Sequence, residues 1–239
     1  ALAGSIPATK LSANTTAGFS IVTWSGNETN GATIGHGLSS GLQMIITKCR
    51  SHSTSWIAGI GGISGFGVND YLTLQTTSAK GSLTNFYQSY TSNSNTTFQV
   101  GVSSADEMNR NTGGTARTYV SYCFAEVEGY SKFGSYTGNY SVDGTFVYTG
   151  FKPAFILIKD TNNAYDWELI DNRRSDYNGS SNYLRPNDSG TEYSTTSDNI
   201  DILSNGFKIR TQWTRLNNSG DTYIYMAFAE QPFKYANAR

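Results

Sequence analysis

The stretch that decides the fold is residues 118–126, TYVSYCFAE, which recurs as residues 222–230, TYIYMAFAE, with five of nine positions identical. In the first copy Val120, Tyr122 and Phe124 alternate with smaller or more polar residues. A period of two is typical of a β-strand, because successive side chains of a strand point to opposite faces of the sheet. The pattern predicts a strand, and its recurrence predicts a strand-rich unit that is present twice.

Further matches occur in the same order along the chain. Residues 18–20, GFS, match residues 129–131, GYS, and the two early tryptophans, Trp56 and Trp167, each follow a matched apolar run. The offset between matched positions changes only from 111 to 113 and then to 104. Such collinear self-similarity is the signature of a repeated module.

The sequence therefore predicts an all-β protein with two tandem β-sandwich modules of the jelly-roll or lectin-like kind, related by internal duplication. Residues 1–16 are predicted to be an extended tether from an upstream shaft, residues 17–127 the first repeat and residues 128–239 the second. The apolar runs at 44–46 and 155–158 are predicted to be central strands, since they have no polar alternation.

Composition excludes two classes of partner. Only 15% of residues are charged, the formal net charge is −1, and no apolar run approaches the roughly 18 residues of a membrane span. We therefore expect neither nucleic-acid binding nor membrane insertion. The two cysteines, Cys49 and Cys123, are read as buried free thiols in preference to a disulfide, because a chain of this length needs no covalent staple.

Catalytic chemistry has little support in the sequence. The histidines are His36 and His52, and the counterpart of His36 in the second repeat is a threonine, so His36 is predicted to cap a turn. The glycine-rich residues 59–67 are predicted to be a loop or an edge strand, since no helix follows that would bind a phosphate.

The sequence has carboxylates that bear on glycoside hydrolysis, a reaction that needs one pair of carboxyl groups flanking the scissile bond. The acidic cluster comprises Asp160, Asp166, Glu168, Asp171 and Asp176. It lies near three arginines in the sequence, which predicts a solvated and partly ion-paired loop surface. Glu126 and Glu230 recur after Phe-Ala and are predicted to have a structural role at strand ends. We expect no enzyme activity, no cofactor and no obligatory metal.

Aromatic and amide side chains provide the candidate ligand site. Exposed Tyr and Trp rings stack on sugars, while Asn and Asp bind sugar hydroxyls. Trp56 and Trp167 are repeat-equivalent and are therefore predicted to be structural. The candidate ligand-binding residues lie in the loop of residues 177–193 and at one later tryptophan: Tyr177, Tyr183, Asn187, Asp188, Tyr193 and Trp213.

Three segments carry a resemblance to a known group of proteins. Residues 4–11 (GSIPATKL), residues 17–22 (AGFSIV) and residues 223–233 (YIYMAFAEQPF) resemble the C-terminal region of poorly characterised virion proteins of marine tailed phages. The start at Ala1 looks like the cut end of a longer chain, and the Arg239 end resembles a natural C-terminus. The resemblance covers nearly the whole chain and supplies no catalytic motif.

The resemblance implies a structural or adhesive virion component, located on a tail fibre or on the capsid surface. The leading hypothesis is the distal domain of a homo-oligomeric, trimeric tail fibre that contacts other virion proteins and presents loops to host surface polysaccharide. One alternative is a capsid decoration or head-fibre protein with an assembly or adhesive role. Another, less favoured, is a polysaccharide depolymerase.

Overall fold

The computed structural model describes residues 4–89, 96–103, 107–175, 179, 181–195 and 199–231. Asp176, Tyr177 and Arg239 lie outside these residues. The described chain is nearly all β, with several antiparallel sheets, which confirms the predicted fold class. The one helix in these ranges is α1, Thr214–Asn217, and no helix there is long and apolar enough to cross a membrane.

The chain divides into two compact units. Unit 1 comprises Ala1–Leu74 and Lys80–Glu126, and unit 2 comprises Gln75–Ala79 and Val127–Arg239. The strands of unit 1 are β1 (Lys10–Asn14), β2 (Phe19–Ser25), β3 (Ala32–Gly35), β4 (Met44–Cys49), β5 (Trp56–Ile60), β6 (Asp70–Thr73), β7 (Gly81–Ser82), β8 (Tyr87–Ser89), β9 (Thr97–Val100), β10 (Asn111–Thr112), β11 (Thr115–Ala116) and β12 (Thr118–Phe124).

Unit 1 has a seven-stranded sheet in the order β1-β2-β12-β4-β5-β6-β7 and a three-stranded sheet in the order β3-β9-β8. Its core contains side chains from both sheets: Val22 and Trp24 come from β2, Ile34 from β3 and Phe98 from β9. The Trp24 and Phe98 rings are 6.4 Å apart and meet edge to face. Two sheets that share one core form a β-sandwich.

The structure differs from the sequence prediction at the start of unit 1. Lys10–Asn14, which were predicted to lie in a tether outside the first module, form β1 and pair with Phe19–Thr23 of β2. Ile6 is 3% exposed and belongs to the core of unit 1. The residue after Ile6 is Pro7, whose steric bias toward extended backbone suits an edge strand as well as a tether. Hydrophobic burial and backbone pairing place this segment within the unit.

Unit 2 contains β13 (Ser131–Thr137), β14 (Phe146–Tyr148), β15 (Pro153–Asp160), β16 (Glu168–Asp171), β17 (Asn182–Tyr183), β18 (Tyr193–Ser194), β19 (Ile200–Leu203), β20 (Gly206–Ile209) and β21 (Thr222–Ala229). One sheet has the order β13-β21-β15-β16 and another the order β14-β20-β19. Tyr136 of β13 meets Phe207 of β20 edge to face at 6.2 Å within the core. Unit 2 therefore also buries its core between two sheets.

The two units share a strand order. The run β2-β12-β4-β5 in unit 1 corresponds to β13-β21-β15-β16 in unit 2, and β3-β9-β8 corresponds to β14-β20-β19. β4 and β15, which contain the apolar runs, are interior strands as predicted. In the same register, Trp24 stacks on Tyr119 at 4.3 Å and Tyr136 stacks on Tyr223 at 4.9 Å. These correspondences support the predicted duplication, which stays a prediction.

Several smaller predictions have a direct outcome. His36 is fully buried, and its Nδ1 accepts the N–H of Leu38 at 3.2 Å across Gly37, which has a φ of +71°, so His36 caps this turn as predicted. Cys49 and Cys123 are free and buried. The prediction for residues 59–67 was partly wrong, because Gly59 and Ile60 lie in β5, an interior strand.

A buried lysine joins two parts of unit 2. Lys159 is 0% exposed, and its Nζ donates to the carbonyl oxygens of Asp160 at 2.8 Å, Thr77 at 3.2 Å and Asn163 at 3.2 Å. Burial lowers the pKa of Lys159 to about 8. Three carbonyl acceptors satisfy all three N–H groups of the ammonium, which is how a buried cation avoids a large desolvation cost.

Candidate functional site

Three aromatic rings of unit 2 form the centre of the candidate site. Tyr183 of β17 and Tyr193 of β18 lie opposite each other in a two-stranded ladder, and their rings stack at 5.5 Å with an interplanar angle of 15°. Trp213, the residue before α1, meets the Tyr183 ring edge to face at 6.3 Å. Directly opposed residues on one face of a sheet are close enough for such ring contacts.

Two arginines cover these rings. The Arg185 guanidinium lies 3.9 Å from the centre of the Tyr193 ring and 5.5 Å from that of Tyr183. The Arg215 guanidinium lies 4.9 Å from the centre of the Trp213 ring. A planar cation over an aromatic face is attracted by the ring quadrupole, so these contacts fix the positions of the rings.

A buried carboxyl group lies against both arginines. Glu168, at the start of β16, is 2% exposed, and its Oε1 lies 3.2 Å from Arg215 Nη1 and 3.7 Å from Arg185 Nε. Asp166 adds a second acid, with Oδ2 3.3 Å from Arg185 Nη1. Burial raises the pKa of Glu168 to about 8, although the charge of Arg185 opposes the shift. The carboxyl is therefore a structural partner of the arginines and is covered by them.

The loop between β17 and β18 is held by side-chain hydrogen bonds. Asn187 accepts the backbone N–H of Trp167 at 2.8 Å and donates from Nδ2 to Asp166 at 2.8 Å. Asp188 accepts the hydroxyl of Tyr193 and the backbone N–H of Gly190. The Tyr193 hydrogen bond, followed by that of Gly190, lowers the pKa of Asp188. Asp188 therefore presents an ionised carboxylate beside the Tyr193 ring.

The described members of the predicted ligand set lie in or beside one cluster, the aromatic–arginine cluster, defined as Tyr183, Arg185, Asp188, Tyr193, Trp213 and Arg215 with the adjoining Asp166, Glu168 and Asn187. Tyr177 lies outside the described residues. Tyr183 is 5% exposed, so its ring packs in the core and has no open face on which a sugar could stack. Trp213 and Tyr193 are half-buried and Asp188 is exposed, which leaves these three to contact a ligand.

Comparison with known proteins places the chain in a family. A family model described as a domain of unknown function, DUF7483, matches residues 2–232. The chain belongs to the DUF7483 family. No curated protein and no solved structure matches it.

The acidic residues of this DUF7483 chain are more buried than the sequence predicted. The prediction of a solvated loop surface was wrong for Glu168 and Asp160, which are 2% and 0% exposed. Glu168 is compensated by two arginines, and Asp160 Oδ1 accepts the backbone N–H groups of Asn162 and Asn163 at 2.7 and 3.1 Å. Buried carboxylates persist where such partners replace water.

The ion pairing that the sequence predicted for the acidic cluster is confirmed at two of its residues. Asp171 pairs with Arg174 at 2.7 Å, and Asp166 with Arg185 at 3.3 Å. Glu230, predicted to accept partners at a strand end, lies 2.8 Å from Lys152 Nζ. In the part of the chain that the structure describes, no group of three or more His, Cys, Asp or Glu is placed to hold a metal ion.

Two residues of the candidate site, Arg185 and Arg215, are not predictable from the sequence pattern. Arg185 is only a neighbour of the acidic cluster in the sequence, and no motif distinguishes Arg215. The distance of 47 positions between Glu168 and Arg215 hides their contact. The available signal was weak: each arginine lies two positions after a candidate aromatic residue, Tyr183 or Trp213.

Proposed function

We propose that this DUF7483 chain is an adhesion module of a tailed-phage virion, the distal domain of a tail fibre that binds host surface polysaccharide. The aromatic–arginine cluster of unit 2 is its ligand-contacting surface. The resemblance of residues 4–11, 17–22 and 223–233 to phage virion proteins supports the location. The DUF7483 family is described as a domain of unknown function, so the proposed binding role depends on the residues of the site.

One observation carries the proposal: five residues chosen from the sequence for sugar chemistry converge in or beside a single cluster. Tyr193 and Trp213 both contact the buried Tyr183 ring, which serves as their support. Asp188 accepts the Tyr193 hydroxyl and Asn187 bonds to Asp166, which in turn pairs with Arg185. Rings held in place by packing bind at a lower entropy cost than mobile ones.

The proposed binding involves no bond cleavage. A glycosidase needs an acid that reaches the glycosidic oxygen of its substrate. Glu168 has the raised pKa of about 8 that such an acid would need, yet it is 2% exposed and covered by Arg185 and Arg215. Its geometry favours a role in holding the arginines over the rings.

The test compares variants for binding to cells of the host and to purified envelope polysaccharide. Trp213→Ala and Tyr193→Ala each remove one ring, and we expect each to weaken binding about tenfold or more, since stacking and hydrogen bonding at such rings contribute about 1–3 kcal/mol. Val142→Ala is the control, because Val142 is an exposed apolar residue of the same unit, 62% exposed, outside both the cluster and β14. Equal binding by all three variants, or release of new reducing ends from the polysaccharide, would contradict the proposal.

A second candidate function is a capsid decoration or head-fibre role in assembly. Both this role and the fibre role need contacts between copies of the chain, and one feature of unit 2 favours such a contact. β14 is an edge strand, and its outward side chains Phe146 and Tyr148 are 44% and 64% exposed. The corresponding edge strand of unit 1, β3, is covered: Thr33 accepts the N–H of Ile6 at 2.9 Å and exchanges two hydrogen bonds with Ser5. Uncovered edges with apolar side chains favour pairing with another chain.

We assign the β14 edge to a second copy of this chain, which makes it the contact of the proposed homotrimer. The double variant Phe146→Lys, Tyr148→Lys places two like charges on the edge, and sedimentation should show loss of the oligomer. Tyr193→Ala, in the ligand cluster, serves as the control and should keep the oligomeric state. An unchanged oligomer in the double variant would reject this contact, and imaging of virions separates a tail position from a capsid position.

A further inference from the structure

Unit 1 contains a cavity that the proposed function does not use. Its volume is about 210 Å³, and it is lined by Thr9, Lys10, Thr23, Trp24, Ser25, Arg50 and Thr118. These residues come from the start of β1 and the residue before it, the end of β2, the residue after β4 and the first residue of β12. The cavity therefore lies at one end of the seven-stranded sheet, where four neighbouring parts of the chain meet.

The register of the sheet explains why these side chains converge. Lys10 lies opposite Thr23, and Ser25 lies opposite Thr118. Arg50 continues the row of Ser25 and Thr118 on the next strand, and its backbone N–H donates to the Thr118 carbonyl at 2.7 Å. Directly opposed residues project from the same face of a sheet, so the two cations and the hydroxyls share one face.

The two cations of the cavity differ from two other basic residues of unit 1, which form ion pairs with acidic side chains. Lys80 pairs with Asp70 at 2.8 Å, and Arg110 pairs with Glu28 at 3.2 Å. Among the described residues, by contrast, neither Lys10 nor Arg50 has an acidic partner, and no acidic residue lines the cavity. Two positive charges therefore face a common space without a neutralising carboxylate.

The strand that forms the floor of the cavity is held rigidly by the core. Trp24 is 1% exposed, its Nε1–H donates to Ser121 at 3.0 Å, and its ring stacks on Tyr119 at 4.3 Å. The Trp24 ring lies in the core, on the face of the sheet opposite Thr23 and Ser25, and it anchors the strand that forms the floor of the cavity. Four hydroxyl-bearing side chains, Thr9, Thr23, Ser25 and Thr118, supply hydrogen-bond donors and acceptors to the cavity.

We propose that this cavity binds a small oxyanion, the carboxylate or phosphate group of an acidic sugar. The guanidinium of Arg50 suits a planar or tetrahedral oxyanion, and Lys10 adds a second charge-assisted hydrogen bond. The hydroxyls donate hydrogen bonds to the remaining sugar oxygens and accept hydrogen bonds from the sugar hydroxyls. The volume is below the usual 300–1,000 Å³ of drug-sized sites, which limits the occupant to about one sugar ring. This site is independent of the aromatic–arginine cluster.

The test is a titration of the 239-residue chain, followed by amide chemical shifts, with three probes: inorganic phosphate, glucuronate and glucose. We expect saturable shifts at Thr23, Ser25 and Thr118 with a charged probe and none with glucose. Saturation by glucuronate alone assigns a carboxylate, saturation by phosphate alone assigns a phosphate, and saturation by both assigns a general oxyanion site. Raised salt should weaken the binding, because partly exposed charges are screened.

Variants locate the site. Arg50→Gln and Lys10→Gln should each reduce affinity about five- to tenfold, as expected for loss of one charge-assisted hydrogen bond near the surface. Arg173→Gln is the matched control, since Arg173 is 82% exposed and lies in unit 2. Absence of saturation with both charged probes, or an equal effect of Arg50→Gln and Arg173→Gln, would overturn the proposal. Neither result bears on Trp213 and Tyr193, so the two sites are tested separately.

Discussion

The carboxamide of Asn217 holds the backbone of Asn139. Asn217 is fully buried, its Oδ1 accepts the Asn139 N–H at 2.9 Å, and its Nδ2 donates to the carbonyl oxygens of Ser141 and Thr211 at 2.8 Å each. Every polar atom of the side chain is therefore satisfied within unit 2. Asn217 thus ties the loop that follows β13 to the segment of residues 211–217.

Unit 1 contains the same device. Asn109 is fully buried, its Oδ1 accepts the Asn27 N–H at 2.9 Å, and its Nδ2 donates to the Thr29 carbonyl at 2.8 Å. The residue after each held asparagine has a left-handed backbone, with φ of +55° at Glu28 and +53° at Tyr140. A shared strained turn and a shared buried clamp support the predicted duplication more specifically than strand order does.

Removal of either asparagine clamp should destabilise the protein. Asn217→Ala leaves three backbone groups without a partner, and we expect a loss of about 2–4 kcal/mol in the free energy of unfolding. Asn109→Ala should have a similar but smaller effect. Urea unfolding followed by circular dichroism measures both, with the exposed turn residue Asn205→Ala as the control. A loss no larger than that of the control would contradict the clamp.

A glycine beside this clamp should tolerate no side chain. A Cβ on Gly138 would lie 2.1 Å from the Asn218 carbonyl oxygen, so the backbone would have to move. We expect Gly138→Ala to cost about 3 kcal/mol or to prevent folding. Gly67→Ala is the matched control, because its added Cβ would make only an ordinary contact at 3.7 Å with Asp70. Thermal unfolding of the two variants should differ clearly, and equal melting temperatures would refute the prediction.

Glu168 should make stability depend on pH. Burial raises its pKa from 4.5 to about 8 in the folded state, so folding binds a proton between these values. The contribution of Glu168 to the free energy of unfolding is therefore full below about pH 4.5, and it is lost as the pH rises toward about 8. Glu168→Gln should remove this part of the pH dependence, which amounts to a few kcal/mol at most, since one pKa unit corresponds to about 1.4 kcal/mol.

The measurement for Glu168 is the free energy of unfolding at a series of pH values between about 5 and about 8. Glu192→Gln makes the same charge change at a side chain that is 44% exposed, and it should retain the wild-type slope. If wild type and Glu168→Gln keep parallel profiles, the buried carboxyl does not titrate in this range and the prediction fails.

The cysteines should be inert in the native protein. Cys123 is 0% exposed and Cys49 2% exposed, and burial raises the pKa of the Cys123 thiol to about 12. Because the thiolate is the reactive form, a disulfide-exchange reagent should label neither residue in the native state and both in denaturant. A cysteine introduced at the exposed Ser189 should label at once, which confirms that the reagent is active. Native labelling of either natural cysteine would show that the core opens.

Much of the fold could be predicted from the sequence, because strand periodicity is local. The alternation of Val120, Tyr122 and Phe124 identified β12, and uninterrupted apolar runs identified the interior strands β4 and β15. The assignment of residues 10–14 was not predictable in the same way. A tether and an edge strand have the same extended sequence pattern. The pairing of residues 10–14 with β2 shows that this segment is a strand.

The candidate site was only half predictable. Tyr193, Trp213 and Asp188 were selected by residue type, since aromatic and carboxylate groups are suited to sugars. The burial of Tyr183 and the roles of Arg185 and Arg215 depend on contacts between β16, β17 and α1. Residue type does not specify such contacts.

The sequence by itself determined that this chain is all-β and that related patterns occur in its two halves, because hydrophobic alternation and repetition are properties of neighbouring residues. Only the tertiary structure decided that Glu168 is buried between Arg185 and Arg215, and that Lys10 and Arg50 share a cavity. These outcomes depend on sheet register, which brings together residues that are tens of positions apart in the chain. Burial then sets their charge and hydrogen bonding, since buried polar groups must find partners that water no longer supplies.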